Sequence, residues 1–398
     1  MSMTRPLVAV LGAVLLVAGC SSAPKPKPAS LKDFTPTLKA SVVWKVDSGR
    51  PAKSMAGVGQ FAPAVSGDAV YVASSSGTVS KFNLADGKLI WQAQTGGVLM
   101  AGVAVGAGSA EGVTAVVNDK SELVIISAEG KVERRFSAGG VVLEAPVIAG
   151  ATVVVRLADN RVAGFDLGSG NRRWVLQRNL PTLVLHGQSG MRVRARPSEE
   201  SSSTVLGPGD VIVNMPGGRL LWLDALSGAV RWESQVATPR GSNEVERIVD
   251  LLGMPAVDAG DVCVAAYQTA VVCLAGENGR RLWGRELAAM STVAADGRYV
   301  FFADDQSRFH ALNRKDGVTA WTIDTYQLRG LQYPVSLGRA VWVADSFGIL
   351  HALARETGAP LARISLDGGA PSGAMIPTRS GLLIQTQGGQ LLMIRSEG

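Results

Sequence analysis

Five times in this chain an Asp, Asn or Ser is followed by a glycine that stands four residues ahead of a tryptophan: Gly87 and Trp91, Gly170 and Trp174, Gly228 and Trp232, Gly279 and Trp283, Gly317 and Trp321. Two weaker copies keep the glycine turn, at Gly130 with Phe136 two positions late and at Gly358 with Ala362 in the tryptophan position. Successive glycines are 43, 40, 58, 51, 38 and 41 residues apart, and a further 40 reaches Gly398. A period of this size is the mark of a repeat architecture, in which each unit buries its apolar face only against its neighbours. Each unit has the same grammar, seen in Pro334–Val343, Asp345–Leu353 and Thr357-Gly358: short apolar strands separated by Gly or polar turns. Four such strands make an antiparallel meander of about 40 residues, the size of one propeller blade.

The count comes to eight. After Gly358 the chain offers Pro377, Leu382–Gln385, Gly388-Gly389 and Leu391–Arg395, then ends where a tryptophan strand is due. The missing strand lies at the other terminus, in Ala40–Val46 with Trp44, so an N-terminal strand completes the last blade and leaves no sheet edge open at the join. The expected fold is therefore all-β: an eight-bladed propeller of four-stranded antiparallel blades over residues 40–398. Trp44, Trp91, Trp174, Trp232, Trp283 and Trp321 read as structural residues, large rings at one place in each repeat that pack between blades.

Residues 1–19 have the build of a secretory leader: Arg5, an apolar run from Leu7 to Ala18, then Gly19-Cys20. The run is too short to span a bilayer as a helix. Small residues ahead of a cysteine resemble the bacterial lipobox, which implies cleavage before Cys20 and its acylation. Ser21 after the cysteine implies the outer membrane, on its periplasmic face. Residues 20–39, with Pro24-Lys25-Pro26-Lys27-Pro28, read as an extended tether. Of 39 basic residues Arg5 leaves with the leader, so 38 face 33 acidic ones, a net charge of +5. The basic residues are scattered among acidic ones, which gives a nucleic-acid partner no stripe to bind.

Catalytic and metal signatures are weak. His310 and His351 each precede their repeat glycine by seven residues, so both belong to the repeat rather than to a metal pair, and His186 stands alone in an insertion. The acidic-Gly pairs are turn chemistry. No Gly-x-Ser-x-Gly elbow, phosphate loop or Cys-x-x-Cys is present. The expected cofactor and metal content is none. Cys263 and Cys273 flank one hairpin and stand nearly opposite each other; a cross-strand disulfide and two small buried thiols both fit that placement.

Two departures from the period are informative. Val175–Arg196 and Glu233–Met254 expand two consecutive connections between a tryptophan strand and the next blade, which in a propeller emerge side by side on one face. Apolar residues flanked by charges of both signs there suit protein binding. Together with the lipobox, the tether and the repeats, the segments Leu180–Gly187 and Gly241–Asp250 resemble the BamB family of outer-membrane β-barrel assembly lipoproteins. The resemblance implies a non-catalytic scaffold that docks on the POTRA domains of BamA, works with other BAM components, and assists insertion of outer-membrane proteins. A blade edge could also pair with unfolded outer-membrane proteins. Carried over by position, the contact residues are Leu183, Leu185, His186 and Asp250, with Arg192 or Arg194 available as substitutes because His186 stands where Arg is common and Leu252 where a second Asp is usual. The rival readings are a quinone-dependent periplasmic dehydrogenase and a ligand-binding propeller.

Overall fold

Short, largely apolar runs between Gly-rich turns produce strands of two to ten residues, and hydrogen bonding gathers them into eight separate four-stranded antiparallel sheets. The structure, a computed structural model, describes residues 26–51, 60–178, 183–185, 190–197, 206–258 and 260–397, with the side chains of 195–197 and 206–208 left out. Cys20 and His186 lie outside the described residues. Blades 1 to 7 span 64–94, 104–137, 147–176, 191–235, 251–285, 294–323 and 332–365. Blade 8 combines 376–397 with Lys39–Asp47, which pairs antiparallel with Gln390–Glu397 from Lys39 opposite Glu397 to Asp47 opposite Gln390. The eight-bladed fold and its closure by the N-terminal strand are as the sequence led us to expect.

Within each blade we call the strands a to d, from the axis outward. In this meander the b–c turns and the connections from d to the next a emerge at one face, here the connection face. The a–b and c–d turns emerge at the other, the turn face.

There is no single core. Buried side chains fall into eight clusters, each built from two neighbouring blades. The repeat tryptophan organises these interfaces. The indole Nε1 of Trp232 donates to the Gly276 carbonyl at 2.9 Å, in the c–d turn of the next blade, and the ring covers Gly279 of that turn. Gly279 has φ of 71°, and a Cβ there would sit 2.6 Å from the indole, so glycine is required both by conformation and by the ring. Trp44, Trp91, Trp174, Trp283 and Trp321 dock in the same way on the carbonyls of Leu84, Ala128, Ala225, Arg314 and Arg355. In blade 2 Phe136, two residues along the same strand face, covers Gly170 instead. Blade 7 has Ala362 at this position, and its neighbour has no c–d turn to receive a ring, because blade 8 is where the two termini meet. Leu38, buried beside Ala362, fills that space.

Residues 29–38 of the segment assigned to the tether lie against the propeller flank. Thr37 and Leu38 donate to the Leu361 carbonyl, Arg363 donates to Lys32 and holds its guanidinium 5.1 Å from the Phe34 ring, and Ala29 bonds Gln327 and Arg329. The segment therefore climbs from the turn face to the connection between blades 6 and 7.

Cys263 and Cys273 are direct partners in strands b and c of blade 5, with Cα atoms 4.1 Å apart, and form a disulfide buried between blades 5 and 6. Two outcomes are expected in thermal unfolding. Trp232→Ala should cost about 3–5 kcal/mol, by analogy with other large-to-small core changes, and visibly lower Tm. Replacing both cysteines by alanine should cost up to about 3 kcal/mol, with the same loss on adding reductant to the wild type and none in the variant.

Candidate partner-binding face

The two expanded connections do emerge next to each other on the connection face, and a single carboxylate joins them. Asp250 Oδ2 accepts the Leu185 amide of the first connection at 2.5 Å, and Oδ1 accepts the Gly217 amide in the b–c turn of blade 4 at 2.8 Å. Its own carbonyl accepts Tyr267 N at 2.9 Å, in the b–c turn of blade 5. Two segments remote in sequence thus depend on one side chain, and a third on the backbone of the same residue. The resemblance makes Asp250 a partner contact; the structure instead puts it inside, 4% exposed, as the clamp that shapes the surface. Its carboxylate oxygens each take a backbone N–H, so both are engaged within the chain. Leu252, at the place of a second Asp, is buried among apolar residues between blades 5 and 6.

The surface itself is apolar at two points. Leu183 is 41% exposed in the first connection, followed by half-buried Val184 and Leu185. Val245, which sequence reasoning passed over, is 69% exposed at the tip of the second. It rides on a helical turn that the sequence does encode. The Asn243 side chain accepts Glu246 N at 2.9 Å, an N-cap, while the Glu246 carboxylate reaches back to Ser242 N at 2.8 Å. These bonds, Ser242 first and Asn243 next, hold the Glu246 carboxyl below the usual carboxylate range. Ion pairs surround the apolar points: Arg178 and Arg219 on Glu233, Arg240 on Glu286, and Arg247 on Glu244.

Arg192 and Arg194 do not join this patch. The extra residues of the first expansion divide between the connection and an enlarged a–b hairpin in blade 4, with strands Met191–Pro197 and Leu206–Met215 of seven and ten residues. Both arginines lie on its inner strand. Arg192 lines the central cavity and donates to the Pro255 carbonyl at 3.1 Å. Arg194 pairs with Asp210 toward the turn face, its guanidinium 5.2 Å from the Trp222 ring.

The repeat histidines are structural. His310 bonds Asp304 and Thr322, both at 3.0 Å, and His351 bonds Asp345 at 3.1 Å. Burial pushes His351 down and so favours its neutral form; burial pushes Asp345 up, but bonds from His351, the Ile349 amide and Arg329 outweigh it. Among the described residues no three His, Cys, Asp or Glu side chains stand close enough to share a metal ion.

The arrangement of blades has a counterpart in known proteins. The family model described as outer membrane protein assembly factor BamB matches residues 37–99 and 75–323. The chain belongs to the BamB family. A BamB from Bordetella pertussis is 35% identical over 97% of this chain and 96% of its own, and one from Burkholderia pseudomallei is 32% identical over 96% and 95%. Among solved structures, BamB from Moraxella catarrhalis superposes with a TM-score of 0.76 at 22% identity, covering 90% of this chain and all of that one. The quinohemoprotein alcohol dehydrogenase of Comamonas testosteroni reaches 0.61 at 12% identity over 89% of this chain and 76% of its own, a likeness of fold alone.

If Asp250 is the clamp, Asp250→Ala should speed hydrogen exchange at the Leu185 and Gly217 amides while leaving the blade 7 strands protected, at a stability cost of about 1–3 kcal/mol.

Proposed function

We propose that this chain is a lipid-anchored, non-catalytic scaffold of the outer-membrane β-barrel assembly machinery, which binds the POTRA domains of BamA and assists insertion of outer-membrane proteins. The observation that carries the reading is the pair of consecutive insertions held together by Asp250, presenting Leu183, Leu185 and Val245 amid ion pairs on one face. Burying those side chains against a partner would supply the affinity, and the surrounding charges would set register and association rate. His186, in the same connection, is assigned to the contact by the family resemblance. The names of the relatives, all assembly factors, support the assembly role.

Anchoring is assigned to Cys20. Eight residues separate it from Ala29, which is fastened at the connection between blades 6 and 7. Such a leash reaches at most about 30 Å, which would hold the connection face toward the outer membrane.

The experiment is capture of the chain starting at Ser21 by BamA periplasmic domains. Wild type should bind, and Leu183→Ala/Leu185→Ala should weaken binding at least about tenfold, as expected for losing two buried leucines, with an unchanged circular dichroism spectrum. Val245→Asp should add to the loss. Absence of capture by wild type would overturn the partner assignment.

A further inference from the structure

The propeller axis is open. Two adjoining cavities of about 340 and 430 Å³ lie between the inner strands and share Gln60, Met254, Ala374 and Ile376. Their walls are largely Ala, Val, Pro, Ile and Met side chains, the kind of lining that accepts an apolar body and leaves orientation to a few polar groups.

Among the described residues the smaller cavity holds one charged side chain, Arg192. Its single hydrogen bond among the described residues is to the Pro255 carbonyl, and no described carboxylate lies within ion-pair distance of it. The secluded arginines of this protein are matched within the chain, Arg156 on Glu144, Arg314 on Asp258 and Asp261, and Arg329 on Asp345, whereas the exposed Arg192 is not. Arg192 is solvent-exposed where it lines the cavity, so its guanidinium, with five donors in a planar fork suited to a carboxylate, is open to a ligand arriving from solution. Desolvation alone acts on Arg192, lowering it from its ordinary value with no acidic group to offset the effect, yet an arginine stays cationic at any working pH.

A second feature marks the same cavity. Tyr333 has φ of 53°, a left-handed conformation that is strained for a bulky residue, at a bulge where strand a of blade 7 loses register between Gln332 and Val335. It lines the cavity, and burial raises its phenol to about 12, so the hydroxyl remains a proton donor. Strained residues of this kind persist where a site needs them.

We propose that the smaller axial cavity binds a small amphipathic carboxylate, with the anionic head paired bidentately to Arg192 and the apolar body lying along Met254, Ala256 and Ile376. This inference is separate from the partner face: Arg192 and Met254 stand at the ends of the two expansions, on inner strands that line the axis, and Leu183, Leu185 and Val245 do not line the cavity.

A charge series on the chain starting at Ser21 tests it by calorimetry, below the concentrations at which the probes aggregate. Decanoate should bind saturably, decanol at least about tenfold more weakly, and decylammonium not at all. Arg192→Met should reduce decanoate binding at least about tenfold, as expected for a charged hydrogen bond, while leaving decanol binding unchanged; Arg192→Lys should retain part of it. Equal binding of decanoate and decanol by the wild type would overturn the proposal, as would failure of decanoate to bind, and neither result depends on how the variants fold. Undiminished decanoate binding by a folded Arg192→Met variant would overturn it too.

Discussion

An indole ring seated on a glycine turn of the next blade is the contact on which the rest of this structure depends. A four-stranded sheet of 30-odd residues cannot bury both faces by itself, so each blade is stable only in the ring. The Trp–Gly contact couples the blades twice, by apolar burial and by an Nε1 bond to a turn carbonyl that would otherwise be left to solvent. The glycine must be free of a Cβ for the ring to reach the backbone. One chemical pair therefore recurs at the blade period and accounts for the sequence signature.

The same contact explains where the ring is open to the termini. Docking requires a c–d turn on the receiving blade, and one blade has none: the eighth, whose outer strand comes from the N-terminus. There Ala362 replaces the tryptophan and Leu38 occupies the space. Closure rests on the ladder between Lys39–Asp47 and Gln390–Glu397, and the preceding residues are laid down on the flank of blade 7 rather than released. The point where the chain begins and ends is thereby also the point from which its N-terminal segment is routed to the connection face.

A ring held together on the turn side leaves the connections on the other face free to vary. Two of them have lengthened, and their shape is set by Asp250, a buried acid that bonds one connection and a blade 4 turn while its own backbone belongs to the other connection. The quinohemoprotein alcohol dehydrogenase shares this fold at 12% identity, since the repeat carries the fold and says little about the chemistry.

Fold, blade number and closure were legible in the sequence because they follow from local rules: strand periodicity, turn glycines and a ring residue at a fixed offset. The two long connections could be located by the same period. Even the Asn243–Glu246 cap is a local signal. The roles of Asp250, Arg192 and Arg194 were not legible, because each depends on what a side chain meets across blades. Sequence position alone places Asp250 at the end of an exposed loop, whereas packing brings the Leu185 and Gly217 amides onto it and buries it. Arg192 and Arg194 look like a loop's basic tail until strand pairing puts them on the inner strand of blade 4. The sequence by itself determined the repeat and the ring; tertiary structure decided which polar groups became clamps, which faced the axis and which stayed at the surface, since burial is a property of neighbours that the local chain does not contain.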